Sequence, residues 1–357
     1  MGITKRPFGT LPDGQEATLY TLRNAGGFSV SVSDFGGTIV HILAPDRKGQ
    51  FQNVVCGYDS VEEYVVADGY LGATVGRFCN RIARGRFTLE GKVYDDLYIN
   101  DGPNHLHGGK VGFSHRLWSV AGTEEGEEPS LTLRLVSPDG EEGYPGRLEV
   151  SVTFTVRADH ALAIHYEART DQTTVVNLTN HAYFNLGGYA SGDVLDQVLW
   201  LDAQSYLRGD ENLIPTGEMI PVDGTPFDFR TPKAIGRDFF ADDADLKKAG
   251  GYDHCFNFTG WRSAGSELRL RGTAFDPTTG RKLELFTNSP CVQLYTANFL
   301  KNPDFPLSGG YPQMTQHAFC LETQKMPDSP NHESFTDTTL HPGEVFDYTT
   351  VYRFSAE

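Results

Sequence analysis

Glu322 sits in Phe319-Cys320-Leu321-Glu322-Thr323-Gln324, a carboxylate among the apolar residues of a strand. A carboxyl so placed is either buried with a partner or turned into a cleft, and it suits general-base chemistry. His181 follows the apolar stretch 174–178 and has Tyr183 and Phe184 beyond it. Imidazole titrates near neutrality, so a histidine at a strand end can give or take a proton, although a hydrogen-bonded structural role is equally open to it. In Gly102-Pro103-Asn104-His105-Leu106-His107-Gly108-Gly109 two histidines stand two apart and share a face if the segment is extended. That pair could ligate a metal, hydrogen-bond a turn, or donate to a polar ligand.

Three more segments carry polar groups in apolar settings. Residues 72–87 hold Arg77, Arg81, Arg84 and Arg86 beside Val75, Phe78, Asn80 and Ile82. An arginine among apolar neighbours needs a partner, which structural ion pairs supply as readily as a ligand does. Asp253 precedes His254 in a turn-to-strand segment, and Gln293 shares a strand face with Tyr295. Taken singly, these read as a turn-stabilising Asx residue and an exposed strand position.

The elements that must position these groups are strands. Leu148, Val150, Val152, Phe154 and Val156 alternate with polar residues, as do Phe28 to Val32, Leu131 to Leu135, Leu162 to Tyr166, and Leu268 with Leu270. Turn signals at Pro138-Asp139-Gly140, Gly187-Gly188, Asp223-Gly224 and Gly309-Gly310 punctuate them. Helical periodicity is confined to candidates around Ser60 to Val65 and Arg237 to Lys248. The pattern predicts an all-β chain, a large antiparallel β-sandwich with few short helices. No low-complexity linker or fixed-period repeat appears, so one domain over residues 1–357 is expected.

With 47 acidic against 30 basic residues the net charge is −17, which disfavours nucleic acid and anionic membrane as partners. Five cysteines, Cys56, Cys79, Cys255, Cys291 and Cys320, are odd in number and form no CxxC pair, so free thiols and a cytoplasmic location are expected. The start of the chain lacks the apolar stretch of a secretory signal, and no run of apolar residues reaches membrane-spanning length. The hydrolase signature GxSxG, the dinucleotide fingerprint GxGxxG and the phosphate loop are absent.

In order along the chain, Asn80-Arg81-Ile82-Ala83, Leu106-His107-Gly108-Gly109, Asn177 to Leu186, Asp253-His254, Val292-Gln293-Leu294-Tyr295-Thr296 and Leu321-Glu322-Thr323-Gln324 resemble the aldose 1-epimerase, or galactose mutarotase, family. The likeness runs from Phe8-Gly9 to residues 340–354. It implies a mutarotase-like supersandwich with its site in an open cleft on one sheet, acting without metal or organic cofactor, as monomer or homodimer. It implies further that Glu322 is the base and His181 the acid in opening and closing a free aldose ring. Asn80, Arg81, His107, Asp253 and Gln293 match positions that hold sugar hydroxyls, whereas His105 matches none. Departures, among them Ala182, Cys255, Leu294 and Ser114-His115-Arg116, touch no catalytic position and bear on sugar preference. The rival readings are a sugar-binding or sensing protein of the same fold, a cupin-like metal isomerase using His105, His107 and Glu322, and an enzyme for sugar phosphates.

Overall fold

The structure is a computed structural model that describes residues 1–67, 69–263 and 265–357. Most strand residues of the described chain lie in three antiparallel sheets. The first is a five-stranded meander from Gly2–Thr10 to Phe51–Asn53. The second has nine strands, ordered Ser119–Glu124, Ser130–Ser137, Leu148–Val156, Ala161–Thr170, Phe346–Ala356, Arg281–Thr287, Arg269–Phe275, Val198–Leu201 and Lys233–Ala234. The third has six, ordered Tyr183–Phe184, Phe319–Gln324, Cys291–Tyr295, Asp253–Phe258, Ala203–Gly209 and Pro215–Pro221. This is the β-sandwich that the alternation predicts.

The strand Leu148–Val156 shows why. Its five apolar residues are buried at every second position and its polar residues lie between them. Opposite it, Tyr166 pairs with Val152 and Ile164 with Phe154, so both strands send their apolar side chains to one face. One cluster of buried side chains draws on all three sheets, including Val30 and Ile39, Val152 and Leu283, and Val292 and Leu321. Burying each such aliphatic side chain contributes about 1.5–3 kcal/mol, which makes this common core the largest stabilising element of the fold. Tyr352 of the nine-stranded sheet also donates its hydroxyl to the Leu321 carbonyl, 2.8 Å away, and so ties the two larger sheets together directly behind Glu322.

Three expectations are corrected. The second helix spans only Ala244–Ala249, because Asp243 caps it by accepting from the amides of Asp245 and Leu246, while residues 235–237 form a separate 3₁₀ turn. Leu268 is exposed and lies outside its strand. A bulge between Leu270 and Gly272 shifts the phase of Arg269–Phe275 and turns Arg271 inward, where it meets Asp202 and the Thr259 carbonyl. The stretch 174–178 is strand only at Thr174–Val175, after which Asn177 bridges Phe78. That bridge sets the arginine-rich segment beside the segment carrying His181. The first helix, Val61–Val66, starts where expected, with the Ser60 amide bonded to the Glu63 carboxylate. No helix among the described residues is long and apolar enough to cross a membrane.

Candidate active site

The site grows out of the cross-strand register of the six-stranded sheet. Glu322 pairs directly with Gln293, and Gln293 with Cys255; one step along, Cys320 pairs with Tyr295, and Tyr295 with Asp253. Because side chains alternate, the odd-numbered Leu321 and the even-numbered Leu294 point to the core while Glu322, Gln293 and Asp253 share the other face. His254, next to Asp253, falls on the core side against Phe227 and Tyr206. Gln293 donates to Asp253 Oδ1 at 2.6 Å and accepts from Gln324 at 3.3 Å, so it fixes the aspartate from behind.

The facing wall comes from two short pairings. Thr74–Val75 pairs with Thr179–Asn180 and holds His181 in place, and Arg81–Ile82 pairs with His105–Leu106. Asn80 and His107 both have left-handed backbone, φ 61° and 51°. This conformation lets each bond the other twice, the His107 amide to the Asn80 carbonyl and the Asn80 amide to His107 Nδ1, both at 3.1 Å. Since His107 turns away from the strand after Leu106, the two histidines do not share a face, contrary to the extended reading. His105 is instead locked by the Tyr98 carbonyl at 2.8 Å and the Tyr144 hydroxyl at 2.6 Å.

Asn80, Arg81, His107, His181, Asp253 and Glu322 all line one open cleft of ≈ 170 Å³, whose remaining walls include Tyr70, Tyr183, Tyr295 and Phe299. Gln293 opens instead onto a small recess that shares Asn80 and Asp253 with the cleft. Of the four arginines only Arg81 reaches the cleft. Arg77 is buried and donates to the carbonyls of Pro145, Gly146 and Ser137, while Arg84 and Arg86 are exposed. Two partners of the cleft residues carried no sequence signal. Asp101, in a polar turn, accepts from Arg81 Nε at 2.7 Å and aims the guanidinium toward Asp253, 4.0 Å away. Tyr70, from a loop without periodicity, lies nearly parallel to His181 and tilted against His107.

His181 Nε2 lies 3.6 Å from Glu322 Oε1, and Glu322 Oε2 is buried without any hydrogen-bond partner. Burial holds the Glu322 carboxyl well above its ordinary pKa, with Asp253 adding to the rise and Arg81 opposing it. Burial likewise lowers His181 to about 4 and drives His107 well below its ordinary value, the latter helped by His181 and Arg81. The two shifts at the pair run in opposite directions, and both favour its uncharged form, with the proton on the carboxyl and a neutral His181. Such a pair can deliver a proton at one point and remove one at another without net charge transfer.

His107, His181 and Glu322 also bring possible metal-ligand atoms within 4.8 Å of one another. The Asn80 amide, however, already occupies His107 Nδ1, so the proton of the neutral ring lies on Nε2 and makes that atom a donor. The trio therefore suits hydrogen bonding to a hydroxyl better than it suits a cation. The cupin-like set fails for another reason, since both nitrogens of His105 are engaged elsewhere.

The sequence pattern of the aldose 1-epimerase family matches residues 18–353. The chain belongs to the aldose 1-epimerase family. It is 42% identical to the galactose mutarotase of Bos taurus over 356 residues, covering 99% of both chains. With the aldose 1-epimerase of Escherichia coli the identity is 37%, over 97% of each. The crystal structure of galactose 1-epimerase from Lactobacillus acidophilus superposes with a TM-score of 0.86 at 29% identity, covering 99% of this chain and 98% of that one.

Proposed function

We propose that this member of the aldose 1-epimerase family interconverts the α and β anomers of a free aldose such as galactose or glucose, with Glu322 and His181 as the proton-transferring pair. The observation that supports it most directly is the pair itself: a carboxylate oxygen without a partner, 3.6 Å across from an imidazole nitrogen, in a cleft lined with hydrogen-bonding groups. Anomers exchange when C1–O5 breaks, the aldehyde turns about C1–C2, and O5 attacks its other face. Glu322 takes the proton of O1 while His181 gives one to O5, and closure runs both transfers backwards. The reaction needs one proton on the pair. Burial favours Glu322 as its carrier, and sugar hydroxyls together with Arg81 stabilise the carboxylate so that His181 can carry it.

His107, with its proton on Nε2, donates to a sugar oxygen, as does Arg81. Asp253 accepts from hydroxyls, held by Gln293, and Asn80 keeps His107 in its tautomer. Each positioned proton transfer is worth on the order of 10²- to 10⁴-fold, enough for a reaction that already runs slowly in water. Neither a metal nor an organic cofactor enters this scheme. The same reading has the chain act as one unit over residues 1–357, in a reducing cytoplasm that keeps its five buried cysteines as thiols. Fast relaxation of optical rotation in fresh α-D-galactose or α-D-glucose, unchanged by chelator, supports this function; a rate equal to buffer refutes it for these sugars.

A further inference from the structure

We propose that Tyr70 is a positioning residue of the reaction, whose ring fixes the orientation of His107 and His181 and shields His181 from water. The inference rests on the epimerase reading above. Tyr70 lines the cleft, its ring centroid 4.7 Å from that of His107, and it lies nearly parallel to His181 at 6.2 Å and 20°. His115 meets the same ring edge-on at 6.1 Å.

The backbone argues that this placement is selected rather than incidental. Three non-glycine residues of the cleft have left-handed φ: Asn80 and His107, which hold each other, and Tyr70 at 55°. A bulky residue accepts that conformation only where its surroundings impose it, and such residues gather at functional sites. Here the surroundings are the segment that carries the acid. Tyr183 donates to the Gly69 carbonyl at 2.7 Å, the Gly72 amide to the His181 carbonyl at 2.9 Å, and the Ala73 amide to the Tyr70 carbonyl at 3.0 Å. Tyr70 is thus a fixed wall attached to the strand it supports.

The imidazole of His181 faces Glu322, His107, Tyr183, Tyr295 and the Cys320 thiol, with the charges of Asp253 and Arg81 at the edge of the same cleft. Tyr70 lies nearly parallel to the imidazole plane at 6.2 Å. Its loss admits water there, and a hydrated imidazole takes up a second proton on the pair at a higher pH.

The test is the pH profile of kcat/KM for wild type, Tyr70→Phe, Tyr70→Ala and Tyr70→Leu, measured by polarimetry, with far-UV circular dichroism to verify folding. In wild type the acid limb is expected well below the ordinary histidine range, because burial lowers His181 to about 4. Tyr70→Ala is expected to move that limb up by a pH unit or more toward the ordinary histidine value and to lower kcat by about 10- to 100-fold through misorientation. KM should rise several-fold as well, because a misoriented His107 loses its hold on a sugar oxygen. Tyr70→Phe keeps the ring and should keep the acid limb where wild type has it. Tyr70→Leu, which keeps apolar bulk without the flat face, carries the same expectation as Tyr70→Ala should that variant not fold. An unmoved acid limb in folded Tyr70→Ala or Tyr70→Leu overturns the proposal, as does a Tyr70→Phe variant as impaired as they are. An inactive wild type would instead refute the epimerase reading on which the proposal rests.

Discussion

At the scale of the residue, Glu322 combines two demands that conflict, a carboxylate able to ionise and a site that disfavours ionisation. Glu322→Gln should lower the mutarotation rate by on the order of 10²- to 10⁴-fold. The same substitution should raise thermal stability at neutral pH. The folded-state pKa of Glu322 lies well above 4.5, so above pH 4.5 folding must either bind a proton or bury a charge, and glutamine needs neither. The gain should grow with pH and vanish below about 4.5, where the carboxyl is protonated in the unfolded chain too; melts of both proteins at pH 4 and 7.5 check this. Asp101→Asn should raise KM several-fold and leave the fold intact, since it weakens the grip on Arg81 without vacating the site, as steady-state kinetics would show. The residues around this chemistry were legible in the sequence because polar side chains stood in apolar strands, or because the ordered motifs resembled a family. Asp101 and Tyr70 were not, since each acts across 20 or more residues of chain from a loop whose composition resembles any other turn.

At the scale of the element, the six-stranded sheet does the aligning and the loops bring the partners. Alternation placed the runs beginning at Phe28, Leu131, Leu148 and Leu162 in strands, because a one-residue slip would expose a whole apolar face. It failed at Leu268, where a bulge changes the phase, and at His105 and His107, where left-handed backbone ends the strand between them. Neither event leaves a periodic trace. The loop after His107 depends on glycine: at Gly108, φ is 87° and an added Cβ would lie 1.9 Å from the Gly76 carbonyl oxygen. Gly108→Ala should therefore destabilise the protein by more than about 1 kcal/mol and displace His107. Thermal melting and a raised KM would report the two effects separately.

At the scale of the whole molecule, one apolar core lies behind a polar cleft, and several histidines are buried as neutral rings. His105, His181 and His254 are each held down to about 4 by burial, and His107 lies well below its ordinary value. A lowered folded-state pKa means that stability is complete above the unfolded value near 6.5 and is lost as pH falls toward 4. Urea midpoints should accordingly drop steeply between pH 6.5 and 4, and changing His254→Gln, away from the cleft, should flatten that slope. The sandwich class could be read from the recurrence of short alternating strands, whereas the order of strands within each sheet could not, because long-range pairing depends on contacts that no local pattern encodes. The central claim is that Glu322 and His181 exchange the anomers of a free aldose. Its most direct test is polarimetry of fresh α-D-galactose and α-D-glucose with wild type, Glu322→Gln and wild type plus chelator. Rapid relaxation that survives chelator and disappears in Glu322→Gln is the expected result; relaxation that chelator abolishes, or that Glu322→Gln retains, would contradict it.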